Sequence, residues 1–183
     1  MKLEYYIQSL RKFRVWHRYI GLAIALFLLI SSITGILLSL KKEFDLLQPA
    51  TQKGVSKSLD DWKPLSEISI IATQTFHEQY PDQKENGIDR MDVRPGKGIV
   101  KVLFEKGYWE VQVDGSSGEV KSIERRHSDW IEQLHDGSII SDWFKIGSMN
   151  FLGIGAILMI ISGFWLYFGP KKFRKAKQQR GNE

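Results

Sequence analysis

The sequence holds four histidines and no cysteine. Thiolate nucleophiles, disulfides and iron–sulfur ligation are therefore excluded, and imidazole is the side chain best suited to metal or proton chemistry near neutral pH. His17 lies in VWHRYIGL, between Trp16 and Arg18, where a long uncharged run begins. His135 lies in LHDG, next to Asp136 and Gly137. His77, in a helix-like segment, and His127, in ERRHSD, read as solvated surface residues. Ser138 and Ser141 stand near His135 and Asp136, but no glycine-flanked nucleophile elbow accompanies them, so they read as a chance cluster. His77-Glu78 lacks the second histidine of a helical metal pair, and Pro95-Gly96-Lys97-Gly98 reads as a hairpin turn, not a phosphate cradle. Catalysis by a protein side chain finds little support, and no catalytic residue is assigned.

The elements that must position these histidines are dominated by two apolar runs. The mean hydropathy of -0.24 conceals them. Tyr19 to Leu40 is 22 residues without a formal charge, and Ile146 to Phe168 is another 23. At about 1.5 Å per residue each run covers about 33 Å, enough to cross a hydrocarbon core. Both read as transmembrane helices, and the first, with no small-residue cleavage site, reads as a retained anchor.

Basic residues set the expected orientation. Lys2, Arg11, Lys12, Arg14 and Arg18 precede the first run, and Lys171, Lys172, Arg174, Lys175, Lys177 and Arg180 follow the second. The positive-inside rule puts both termini in the cytoplasm and residues 41–145 outside, in a cytoplasmic (inner) membrane, with Lys41 and Lys42 as a minority against it. The net charge of +5 is thus topological and directed at lipid headgroups, with no nucleic-acid partner implied.

The expected organisation is a basic N-terminus (1–18), transmembrane helix 1 (19–40), a polar linker (41–63), an extracytoplasmic domain (64–140), transmembrane helix 2 with its lead-in (141–168) and a basic tail (169–183). Within the domain, Pro64 to Tyr80 predicts a helix with Ser66 as N-cap and Leu65, Ile68, Ile71, Ala72 and Phe76 mostly on one face. Four strands follow, Ile88 to Val93, Ile99 to Phe104, Tyr108 to Val113 and Glu119 to Ile123, separated by glycine-rich turns. A short helix from Asp129 to about Leu134 completes a small α+β unit. The fold class is two transmembrane helices plus a helix and antiparallel meander.

Helical steps from His17 reach Gly21, Ala25, Leu28, Ser32, Gly35 and Ser39, a stripe of mostly small residues expected to face the protein interior as an interface. On the second run Gly147, Gly155, Ser162 and Gly163 are more scattered, and Met149 and Met159 read as packing.

Residues YWEVQVDGSSGEVKSIE, Tyr108 to Glu124, resemble the signature of a PepSY domain. VWHRYIGL, LHDG and the closing SGFWLYFGPKK resemble the PepSY-associated transmembrane-helix family. The resemblance covers nearly the whole chain, although members that act as ferric-siderophore reductases have four or more spans and this chain has two. It implies b-type haem with histidine axial ligands, passing electrons across the membrane toward ferric siderophores or iron. His17 and His135 are then the candidate ligands, and Arg14 and Arg18 the candidate propionate partners; no metal beyond haem iron is implied. The amphipathic Trp16, Arg18 and Tyr19 equally make His17 a membrane-edge anchor, positive-inside topology equally explains the arginines, and His135 equally caps a helix.

If both termini are cytoplasmic, the two histidines lie a bilayer apart, and one iron cannot bind both. A two-fold homodimer, or a membrane partner subunit, would supply the missing ligands; a cytoplasmic reductase or a quinol would supply electrons. The alternatives keep the PepSY-like domain without a cofactor, either restraining a peptidase through exposed strands bearing Phe104, Tyr108 and Trp109, or serving as an accessory subunit of a transporter or iron-uptake system.

Overall fold

The computed structural model describes residues 2–180. Met1 and residues 181–183 of the expected tail lie outside the described residues, as do the side chains of Lys2, Lys172, Arg174, Lys175, Lys177 and Arg180. The chain forms two compact units: one joins the stretch up to Gly35 with the stretch from Gln133 onward, and the other is Ile36–Glu132.

The first unit contains two long helices, α1 (Lys2–Ser39) and, at its other end, α4 (Asp142–Arg180). Both extend beyond the uncharged runs. Ile7–Ser39 and Asp142–Lys171 are long and apolar enough to cross a membrane. Leu22, Leu26, Leu29, Ile154, Ile157 and Ile161 are exposed along their outer faces, as expected of side chains whose solvent is lipid. The helices pair antiparallel: Phe13 meets Trp165 at 5.6 Å between ring centroids, and Phe27 meets Phe151 at 5.9 Å. Leu10, Phe13, His17, Gly21 and Ile24 carry the contact on α1, a repeat of about 3.5 residues that keeps one seam facing a partner helix.

The second unit is built on α2 (Leu65–Gln79) and an antiparallel meander of β1 (Ile88–Arg94), β2 (Ile99–Phe104), β3 (Trp109–Asp114) and β4 (Val120–Arg125), in the order β1-β2-β3-β4. Each expected strand is present: β2 has the expected bounds, β1 the expected start, and the remaining ends lie one or two residues further along. Helix α3 (His127–Asp136) follows, longer than expected at both ends. Pro64, not Ser66, occupies the N-cap of α2, and no side chain caps it.

Period-two alternation sends Val100, Val102, Phe104, Trp109, Val111 and Val113 toward Ile68, Ala72 and Phe76 of α2. Phe76 is central, 4.2 Å from Phe104 and 5.5 Å from Trp109 between centroids. Burying such a ring contributes about 1.5–3 kcal/mol.

The opposite sheet face carries Lys101, Glu110, Gln112 and Asp114, a pattern that normally faces water. Here it is buried. Glu110 is 0% exposed and Lys101 2%. The cause is the segment expected as a linker, which crosses this face as a strap. Gln112 Nε2 donates to Ala50 O at 3.0 Å, its Oε1 accepts from Gln52 N at 2.9 Å, and Asp114 Oδ2 accepts from Val55 N at 2.8 Å. Beneath the strap Glu110 accepts from Lys101 Nζ at 2.9 Å and from Arg126 Nη1 at 3.1 Å. The strands proposed as exposed docking elements are therefore the two central, doubly covered ones, and Phe104 and Trp109 are core residues.

The Asp114-Gly115-Ser116-Ser117-Gly118 turn joins strap and sheet. Asp114 Oδ1 accepts from Ser116 N at 2.9 Å and Ser117 N at 3.1 Å while Oδ2 holds the strap. Burial, the largest single influence, pulls this carboxyl's pKa up, but the hydrogen bonds from Ser117, Val55 and Ser116 together outweigh it, and the group titrates below its ordinary value. Any Cβ at Gly115 would collide with the Trp62 ring, so the aspartate is followed by the one residue that lets the strap tryptophan lie flat.

Candidate functional site

Helical geometry determines where the histidines lie in the first unit. His17 is on the inner seam of α1 and is half-buried. Its Nδ1 lies 2.7 Å from Ser162 Oγ on α4, and a side-chain carbon at Gly163 would stand 3.7 Å from its Cε1. His135 is in the last turn of α3, not after it, and its ring is engaged elsewhere than in capping: its Nδ1 lies 2.9 Å from Thr34 Oγ1 on α1. A side-chain carbon at Gly35 would stand 3.5 Å from its Cε1. The two sites are built alike, each imidazole resting on a hydroxyl residue and the glycine after it. Ser162-Gly163 and Thr34-Gly35 sit in the matching tripeptides Ile161-Ser162-Gly163 and Ile33-Thr34-Gly35.

The hydroxyls are anchored to their own helices. Ser162 Oγ donates to Leu158 O at 2.6 Å, and Thr34 Oγ1 donates to Ile30 O at 2.7 Å. Both are among the most buried residues of the helix pair, Ser162 5% and Thr34 4% exposed. Neither histidine Nε2 has a hydrogen-bond partner among the described residues. Seventeen positions of α1 separate the level of His17 from that of Thr34 and His135, about 26 Å along the axis. One iron cannot meet both.

The remaining sequence-stripe residues divide. Gly21 faces the partner helix, where Met159 packs over it, and Gly35 lies beneath His135. Ala25, Leu28, Ser32 and Ser39 are exposed on the side away from α4, so the whole stripe does not face the interior of this chain. Steps from His17 that average about 3.7 residues drift off a seam that repeats every 3.5 or so. Arg14 and Arg18 are exposed, and Arg18 lies 5.5 Å from the Tyr19 ring centroid. Trp16 and Tyr19, 65% and 60% exposed, accompany them as interfacial side chains do.

His77 Nε2 lies 3.3 Å from Asn86 O beside Phe76, a structural position, and His127 is exposed. An apolar cavity of about 150 Å³ opens beside His135, lined in part by Phe27, Ile30, Leu134, Phe144 and Met149. Next to it Asp136 pairs with Lys145 at 2.6 Å. Burial pulls Asp136 up most strongly, yet the bonds from Lys145 and Ser138 outweigh it and hold its pKa below the ordinary value. Sequence reasoning named both histidines but missed Ser162 and Thr34 as their partners; the repeated Ile-Ser/Thr-Gly, once near the end of each span, was the signal available.

Two membrane-length helices enclosing a small α+β domain in sequence define a two-span membrane protein. The family model described as the PepSY-associated TM region matches residues 14–182, and the chain belongs to that family. No curated protein and no solved structure matches the chain.

Proposed function

We propose that this protein carries electrons across a cytoplasmic membrane by way of b-type haem, as a two-fold homodimer, with both termini in the cytoplasm and residues 41–145 outside. The observation that carries the reading is the pair of half-buried imidazoles about 26 Å apart along the helix axis, each anchored through Nδ1 and each with Nε2 unpartnered. That donor chemistry fits an axial ligand: one ring nitrogen is oriented by a hydrogen bond and the other is open. Haem held in this way supplies one-electron reduction and reoxidation without making or breaking bonds to substrate.

This chain's residues have four tasks in the reading. His17 and His135 present one ligand each at two membrane depths, and a second copy supplies the other. Arg14 and Arg18, exposed near His17, offer guanidinium groups to propionates. Ala25 and Ser32, small and exposed on α1, offer the second copy a close approach. The α1–α4 seam is filled by Leu10, Ile24 and Met159, so a planar group would lie outside this seam. The link to ferric siderophore or iron reduction rests on the family resemblance; the electron donor would be a cytoplasmic reductase or a quinol. A cofactor-free interaction module is less favoured because its central strands are covered on both faces.

The test is a reduced-minus-oxidised visible spectrum of detergent-purified protein expressed with ample haem, beside His17→Ala and His135→Ala. A b-type spectrum that weakens in each variant is expected. A flat spectrum returns His17 to a membrane-edge role and leaves the interaction module or accessory subunit in front.

A further inference from the structure

A hydroxyl has one proton, and at both sites its destination is decided by the backbone. Ser162 Oγ stands 2.6 Å from Leu158 O, and Thr34 Oγ1 stands 2.7 Å from Ile30 O. Two oxygens at that separation with no hydrogen between them repel, so each hydroxyl points its O–H at, and donates to, the carbonyl of its own helix. What remains on the hydroxyl oxygen is lone pairs. His17 Nδ1 at 2.7 Å and His135 Nδ1 at 2.9 Å can then bond only by donating.

We propose that Ser162 and Thr34 are positioning residues that hold His17 and His135 in the Nδ1–H tautomer, leaving the Nε2 lone pair of each ring as an unprotonated donor to a metal. The residue after each hydroxyl lies against the same ring: a side-chain carbon at Gly163 or Gly35 would stand 3.7 or 3.5 Å from the Cε1 edge, ordinary van der Waals contact, so the hydroxyl is the part of the seat that selects the tautomer. The same two-residue seat thus occurs at both ends of the helix pair, receiving His17 from α1 and His135 from α3. The tautomer sets which nitrogen can ligate before any ligand arrives, so reorganisation on binding is small. The use of that nitrogen for haem rests on the function proposed above; the tautomer itself does not.

The experiment is nitrogen NMR of histidine-¹⁵N-labelled, haem-free, full-length protein in detergent, at a pH about 2 units above the ordinary histidine value of about 6.5. Both His17 and His135 should show a protonated, pyrrole-type Nδ1 and an unprotonated, pyridine-type Nε2, the favoured form exceeding the other by roughly tenfold. Ser162→Ala should release His17 alone and Thr34→Val His135 alone, so the untouched histidine in each variant reports that the fold persists. Ser162→Thr and Thr34→Ser, which keep the hydroxyl, should retain the wild-type pattern. Nε2–H rings in the wild type, or a His17 unmoved by Ser162→Ala, would overturn the proposal. Locked tautomers with a flat haem spectrum would leave it standing and remove the haem reading; the reverse pair of results would do the opposite.

Discussion

The extramembrane unit and the helix pair solve the problem of buried polar groups in opposite ways. Under the strap, Glu110 sits between two cations, Lys101 and Arg126, and all three charges are nearly inaccessible. Between α1 and α4 the buried polar groups are neutral hydroxyls that return their protons to their own helix. A buried charge is costly unless its partners remain, whereas a hydroxyl bonded to its own backbone is nearly self-sufficient. The first unit can therefore lose a polar side chain at small cost, and the second cannot.

Glu110→Ala should break that contrast most severely, leaving Lys101 and Arg126 buried without their shared carboxylate. A loss of about 3–5 kcal/mol is expected, read as a fall in the denaturant midpoint by near-ultraviolet circular dichroism. In the helix pair the sensitive property is volume. Gly155 faces Ile24, whose Cγ2 would lie 2.6 Å from an added Cβ; Gly155→Leu should cost about 1–3 kcal/mol, seen as lower thermal stability in detergent. Asp114→Asn sharpens the polar side of the comparison, because an amide nitrogen cannot accept from Val55 N–H; about 1–3 kcal/mol is expected.

The same residue gives a pH signature. Its folded pKa is depressed, so its contribution is fully present above the unfolded aspartate value of about 3.9 and is lost as pH falls through the lower folded value. Acid titration of stability below about pH 4 should be shallower in Asp114→Asn than in the wild type. Ser162→Ala should have the smallest effect, about 0.6 kcal/mol on helix pairing. A loss several times larger would mean that the hydroxyl carries the pair and that the two units do not differ in this way.

Most of the architecture was legible from periodicity. Uncharged length located both spans, and alternation bounded by Gly107, Gly115 and Gly118 located the strands to within one or two residues. The strap escaped because its contacts pair backbone with polar side chains and leave no apolar period. Lys101, Glu110, Gln112 and Asp114 give no sign of the strap either, since polar residues on alternate positions normally mark a face turned to water. On α1 the stripe and the seam part after Gly21, where the seam continues to Ile24 and the stripe to Ala25, one residue or about 100° around the helix, so that Ala25, Ser32 and Ser39 are exposed and do not meet α4. His17 and His135 were legible as chemistry, but their partners lie 145 and 101 positions away in sequence, beyond the reach of any local pattern.

Strand β1 reads Ile-Asp-Arg-Met-Asp-Val-Arg, and its Arg90 and Arg94 pair with Asp89 and Asp92 along the margin of the meander. A margin so densely charged makes a poor template for another chain's backbone, because an incoming strand would have to displace ion pairs before forming its ladder. Pairing of two copies along that border is thereby discouraged, and the water-facing portions can crowd on a membrane surface without their sheets joining edge to edge.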